Sequence, residues 1–335
     1  MRPPIHSGDR ASRRGTRGTT LVEILVALAL ASLVIGAVAL VFSATSRNRG
    51  DLERSARLLE NAQYALDYLS DELRLAGYYA ELSVVGVAWQ APDPCGTTVA
   101  SLGWSNSPFQ VPLPLVGFRP ADAMPACLPH QRPGTAAFVI RRLDVDRTPP
   151  ADATGAPFLQ VSKCPLDARL WVLSSNPSDF VLRNLDCATV ADVRQLFVRT
   201  YYVADCDDCG TDTVPTLKRA ELDGTTLRIT PLVEGVENLQ VSYGFDGNAD
   251  GTPDQWLDGP DGTIAPGYGD RANVMAVRLF VLVRSNEPSV GEPSGTKTFN
   301  LGPAGYVTVG DDGYRRVQTS SIVRLNNVAG PYEAP

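Results

Sequence analysis

Apolar residues occupy this chain in three regimes. From Leu21 to Phe42 they form an almost unbroken run of 22 residues, with no proline and Glu23 as the sole charge. At about 1.5 Å per residue, a helix of that length spans a hydrocarbon core of ~30 Å. From Asp51 to Gly77 the pattern becomes amphipathic: Leu52, Leu59, Leu66 and Leu73 recur in one row, and Ala56, Ala62, Leu69 and Ala76 fill the row beside it. Arg54, Arg57, Glu60, Asp67, Asp71 and Arg74 fall mostly off that stripe, so this helix offers one apolar face to a partner. Gly77 supplies a stop. Together the two segments predict one helix over Thr19–Ala76, 58 residues and ~87 Å long at the α-helical rise.

Beyond the helix the period changes. Residues 83–135 are rich in proline and glycine and read as loop-dominated. Strand-like runs follow at Ala137–Leu143, Phe158–Ser162, Leu170–Leu173, Phe180–Leu185, Leu196–Val203, Thr225–Ile229, Leu239–Phe245, Val274–Arg284 and Arg315–Leu325. Several alternate apolar and polar residues, as VRLFVLVR and RRVQTSSIVRL do, which suits antiparallel strands covered on one face. No helix–strand alternation of the parallel type is present, and no fixed-period repeat. The fold class is therefore α+β, a long N-terminal helix packed on an antiparallel sheet head. The expected divisions are a leader over 1–18, a membrane or bundle helix over 19–42, an amphipathic helix over 43–77 and a β-rich head over 78–335.

Charge gives this plan an orientation. Arg2, Arg10, Arg13, Arg14 and Arg17 precede the apolar run against Asp9 alone, which keeps that end cytoplasmic and sends the C-terminus outward. The whole chain carries −7; a leader of net +4 (five arginines, one aspartate) would leave −11. That acidity, with no dense basic patch, argues against nucleic-acid binding. Six cysteines outside the apolar run fit an oxidising compartment. Six allow 15 pairings; spacing suggests Cys95–Cys127, Cys164–Cys187 and Cys206–Cys209, each closing a local loop. A secretory signal would have a shorter apolar core followed by a small-residue cleavage site. A carboxylate inside a membrane-length run is costly and calls for a function; the plain alternative is a single-pass anchor with an incidental glutamate.

The segment Arg13–Phe42, RRGTRGTTLVEILVALALASLVIGAVALVF, resembles the class III signal of type IV pilins and their relatives. The resemblance implies that a prepilin peptidase cuts after Gly18, that the mature chain begins at Thr19, and that the apolar helix is retained. Many pilins begin with phenylalanine; Thr19 stands here, so cleavage is expected while N-methylation of Thr19 stays open. Glu23, fifth in the mature chain, would meet the N-terminal amine of a neighbouring subunit, two charges that are each costly in lipid and less so when paired. The stretches Ile229–Trp256, Ala272–Ser285 and Tyr314–Asn327 resemble the closing segments of PilW-type minor pilins. That resemblance implies a non-catalytic subunit that initiates or enters a type IV pilus. Its implied partners are minor and major pilins, the prepilin peptidase and the inner-membrane assembly platform. Before assembly it would be a single-pass protein with a periplasmic head, and afterwards part of the surface pilus. A minor pseudopilin of a type II secretion system and an adhesin-like tip subunit are the alternatives.

Two further constellations bear on chemistry. Asp246, Asn248, Asp250, Thr252 and Asp254 match the first nine places of an EF-hand-like calcium loop, with Gly251 at the sharp turn and Thr252 offering its carbonyl. Leu257 stands where the bidentate glutamate belongs, and Asp258 comes one residue late. The competing reading is a polar turn with no Ca2+. Catalytic motifs are absent: His6 lies in the leader, His130 sits in a proline-rich loop, and no nucleophile elbow, phosphate loop or metalloprotease signature occurs. Cys206-Asp-Asp-Cys209 has redox spacing, but its flanking acids oppose a thiolate, which favours a structural disulfide.

Overall fold

The computed structural model describes residues 18, 20–82, 84, 87–248, 250–257, 274–289 and 295–330. The chain divides into two compact units, Met1–Glu53 and Arg54–Pro335. Helix α1 covers Leu21–Leu75. It is followed by β1 (Ala88–Gln90), β2 (Ser105–Asn106), β3 (Phe109–Pro112), β4 (Leu115–Phe118), β5 (Ala137–Leu143), β6 (Phe158–Val161), β7 (Trp171–Ser174) and β8 (Val193–Ala204). Then come β9 (Thr216–Asp223), β10 (Thr226–Glu234), β11 (Val236–Phe245), β12 (Gln255–Leu257), β13 (Val274–Arg284), β14 (Lys297–Asn300), β15 (Tyr306–Val309), β16 (Arg316–Arg324) and the short α2 (Asn326–Ala329). The architecture is the α+β arrangement expected, a long N-terminal helix followed by antiparallel sheets.

In the first unit, the described apolar side chains from Leu21 to Phe42 are all exposed. This is one helix long and apolar enough to cross a membrane. In the second unit, the rest of α1 packs on two sheets, one ordered β10-β9-β8-β5-β4 with β6 and β7 attached, the other β12-β11-β13-β16. The helix contributes Leu58, Ala62, Ala65, Leu66, Leu69, Leu73 and Ala76 to the main core. Truncating a fully buried leucine such as Leu69 or Leu73 to alanine costs about 2–5 kcal/mol.

The alternation seen in the sequence sets the sheet faces. Val277, Leu279 and Val281 of β13 lie opposite Tyr243, Val241 and Leu239 of β11, and all six join the helix-side core. Strand β5 is buried along its whole length. Phe138 and Ile140 face the helix-side core, while Val139 and Leu143 enter a second core with Leu159, Leu196 and Trp171. Such burial on both faces is why β5 opens with the unbroken apolar run Ala137–Ile140, while Arg141 and Arg142 are buried with hydrogen-bond partners.

The apolar row predicted on α1 holds only in part. Leu66 and Leu73 are buried, but Leu59 and Leu52 are 58% and 70% exposed and Ala56 is exposed. A strict seven-residue row drifts by ~20° per heptad on a straight helix, which turns Leu59 and then Leu52 off the buried face; Leu58 replaces them. Phe180–Leu185 is not a strand. Leu182 N–H donates to Gln160 Oε1, Ala191 N–H to the Leu182 carbonyl and Lys163 N–H to the Arg183 carbonyl, so a side-chain amide and scattered bridges replace a ladder. The proline-rich region contains four short strands, β1–β4. The six cysteines form three disulfides, Cys95–Cys127, Cys164–Cys187 and Cys206–Cys209.

Two glycines are fixed by geometry. Gly77, just past α1, has φ +76°, and its N–H donates to the Arg141 carbonyl, so the chain turns from the helix towards β5. At Gly117 in β4, a Cβ would clash with the hydroxyl of the buried Tyr243 of β11. Gly117→Ala is therefore expected to lower stability by about 1–3 kcal/mol through overpacking, read as a reduced midpoint in chemical denaturation of the detergent-solubilised chain. An unchanged midpoint would remove the contact between the sheets as a constraint.

Candidate functional site

The start of α1 is organised by its own side chains. Gly18 is exposed, and Thr19 and residues 1–17 lie outside the described residues. Thr20 N–H and Thr20 Oγ1 both donate to Glu23 Oε2, at 2.9 and 3.2 Å, while Glu23 N–H donates to Thr20 Oγ1 at 3.3 Å. With the helix beginning at Leu21, this is a capping box: Thr20 is the N-cap and Glu23 the third helical residue. Two of the orphan donors of a helix N-terminus are satisfied reciprocally, and the carboxylate lies at the positive end of the helix dipole. Ser32 Oγ donates to the Ala29 carbonyl, so this hydroxyl within the apolar run is also satisfied locally.

A second assembly fixes the helix in the second unit. Glu72, between the buried Leu69 and Leu73, is itself 9% exposed. Arg199 Nη1 donates to both its oxygens at 2.8 and 2.9 Å, Tyr201 Oη to Oε2 at 2.9 Å, and Arg142 Nη2 to Oε1 at 3.3 Å. Arg199 Nε reaches Glu221 Oε1 at 2.8 Å across the β8–β9 ladder, and Arg219 Nη2 reaches Glu221 Oε2 at 2.7 Å. Both Arg199 and Arg142 lie over the Phe197 ring. Burial alone would raise the Glu72 carboxyl; Arg199 and Arg142 together with the hydrogen bonds outweigh it and hold the group below its ordinary value. Periodicity missed this residue because a glutamate beside an apolar stripe reads as its solvated edge.

A similar fork closes the second sheet. Arg316, with 2% of its side chain exposed, donates from Nε to Glu237 Oε2 at 2.6 Å and from Nη2 to Asp312 Oδ2 at 2.6 Å. Hydrogen bonds from Arg316 hold Asp312 at about 2.

The predicted calcium residues do share one loop. Asp246 is 2% exposed; its Oδ2 accepts from Gly251 N–H at 2.7 Å and its Oδ1 from Asn248 and Asp250 N–H. Asp250 Oδ1 accepts from the N–H and hydroxyl of Thr252, and Asp254 Oδ2 from Gly247 N–H. Asn248 Nδ2 donates to Asp250 Oδ2 at 3.2 Å and Asp254 Oδ1 at 3.4 Å, so an amide occupies the place between carboxylates that a cation would take. The oxygen donors suit a hard cation, but the loop is also complete as a self-bonded polar turn. Asp258 lies outside the described residues.

His130, Cys206 and Cys209 come together. One ligand atom of each lies within 4.8 Å of the other two. The cysteines are joined as a disulfide, and Lys218 Nζ lies 3.4 Å from Cys209 Sγ. That ammonium, brought in from β9, opposes the effect of the flanking acids.

Residues 200–327 match the sequence model of the family PilW, described as Type IV Pilus-assembly protein W. The matched region runs from within β8 to α2 and includes all three closing segments, so the PilW-type resemblance is supported and the role it gives is pilus-related and structural. No curated protein matches the chain by sequence. Among solved structures, the chain is similar to the type IV-like pilin TTHA1219 from Thermus thermophilus. The two are 14% identical over 82% of this chain and 97% of that one, with a TM-score of 0.35.

The Glu72 cluster predicts a specific acid sensitivity. A carboxyl lowered on folding contributes stability that is present above its unfolded value and lost as pH falls through its folded value. Glu72→Gln is expected to cost roughly 3–5 kcal/mol at neutral pH, because it leaves buried guanidinium charge uncompensated. Denaturation curves should then show the gap to wild type closing once acid protonates Glu72; a gap that is absent at neutral pH, or that persists in acid, would contradict this account.

Proposed function

We propose that this chain is a minor pilin that takes part in initiating or assembling a type IV pilus, acting by packing rather than by catalysis. The observation that carries the reading is the PilW match over residues 200–327, joined to an exposed apolar helix whose third residue is a carboxylate. In this reading a prepilin peptidase cuts after Gly18. The Leu21–Phe42 helix anchors the chain in the inner membrane with its head in the periplasm, then leaves the bilayer for the filament core. Glu23 meets the amine of a neighbouring Thr19, which balances two charges in a low-dielectric setting. Other minor and major pilins and the inner-membrane assembly platform are the partners.

The helix start gives two expected outcomes. Gly18→Ala should leave the arginine leader on the chain, detected by mass spectrometry of the membrane fraction; a normally processed N-terminus would contradict the reading. Glu23→Ala should insert and be cleaved normally, while its recovery in sheared pili falls several-fold. Full recovery would sink the pairing argument, and loss of exoprotein release with intact pili would favour a secretion pseudopilin instead.

For the 246–254 loop we propose a weak calcium site of the kind found in extracellular modules, formed when Asn248 turns its amide oxygen inward. Such sites bind with Kd of about 10⁻⁴–10⁻³ M. Millimolar calcium should raise the melting temperature of the chain, and Asp250→Ala should abolish the increment. No response in the wild type would leave the turn as a purely polar device.

A further inference from the structure

The geometry points to a redox-gated metal site at His130, Cys206 and Cys209: closed as a disulfide in the oxidised chain, and a three-ligand Zn2+ site once that bond is reduced. The three ligand atoms already lie within 4.8 Å of one another, and once the S–S bond opens the sulfurs need only separate to the roughly 3.8 Å that Zn–S bonds of ~2.3 Å impose in a tetrahedral site. Two thiolates and an imidazole form a soft, nitrogen-and-sulfur set that suits Zn2+ rather than a hard cation. His130 is exposed, whereas Cys206 is 6% exposed. An ion can therefore enter from the histidine side and keep its fourth position open to water.

Backbone and side-chain hydrogen bonds position these groups in addition to the S–S bond. His130 is held by a short antiparallel pairing beside the cysteines: Asp205 N–H donates to the His130 carbonyl, Arg132 N–H donates to the Val203 carbonyl, and Gln131 bridges Ala204. Its φ of +55° is an uncommon backbone setting for a histidine, fixed by that pairing. The loop between and beyond the cysteines is folded around Asp212, whose carboxylate accepts the N–H groups of Asp207, Asp208 and Val214 at 2.7–2.9 Å. Lys218 Nζ donates to the Asp207 carbonyl at 2.8 Å. Opening the disulfide removes one restraint among several, so the two sulfurs stay near each other and near the imidazole.

The chemistry balances with a dithiol as reductant. Its two thiols are oxidised to a disulfide while Cys206–Cys209 gains two electrons and two protons to become a dithiol; Zn2+ then displaces both thiol protons to solvent. Bound zinc occupies the thiolates and so opposes their reoxidation.

The test uses the full chain in detergent, reduced under anaerobic conditions, freed of reductant and titrated with ZnCl2. Cysteine alkylation is then mapped by peptide mass spectrometry, which reads this site separately from the other two disulfides. The expected result is one equivalent of zinc retained by the reduced chain and none by the oxidised chain. Zinc should slow alkylation of Cys206 and Cys209 at least tenfold, and His130→Ala should weaken retention at least tenfold. Co2+ in place of zinc should give the absorption bands of a tetrahedral thiolate site, and these should be lost in Cys206→Ser. Reduced chain that holds no zinc, or zinc that leaves Cys206 and Cys209 as reactive as before, overturns the proposal. So does retention unchanged in the Cys206→Ser/Cys209→Ser double variant, and circular dichroism on each sample checks that the fold is intact.

Discussion

Glu72 is the point on which the second unit turns. A helix face of leucine and alanine could slide or rotate against a sheet with little penalty, because apolar contact is not directional. A carboxylate that must find Arg199, Arg142 and Tyr201 at once has one solution. The same Arg199 ties Glu221 across the β8–β9 ladder, so one charge network fixes helix rotation and sheet register together. A buried ionic cluster adds little net stability compared with apolar residues of equal volume, but breaking it is costly. Its contribution here is directional: it sets how the second-unit part of the helix is rotated on these sheets.

Strand β9 shows the same logic from the sheet side. TLKRAELD contains four charges in eight residues, a composition that reads as loop. Lys218 and Glu221 are nevertheless buried, at 6% and 4% exposure, because Asp207 and Cys209 meet the lysine while Arg199 and Arg219 meet the glutamate. Polarity in this strand is internal pairing rather than solvation.

This explains what could and could not be read along the chain. Ala137–Leu143 and Val274–Arg284 were legible to the residue, because apolar side chains on the core faces leave a direct trace in the pattern. The helix was legible in extent, but its buried face was misplaced towards the N-terminal end, where a heptad row drifts on a 3.6-residue helix. Phe180–Leu185 looked like a strand by composition and is not one, since Gln160 supplies the acceptor that a neighbouring strand would have supplied. Glu72, β9 and the approach of His130 to Cys206 all depend on contacts between residues far apart in sequence, which no local period records.

The capping box at the head of α1 carries one more implication. A carboxylate has two oxygens, and the Thr20 cap occupies only Oε2; among the described residues nothing donates to Oε1. The side chain can keep its own first turn wound and still extend a hand to an incoming positive group. A cationic group can then be met at the helix tip without unwinding the first turn, so those backbone amides need not stand bare.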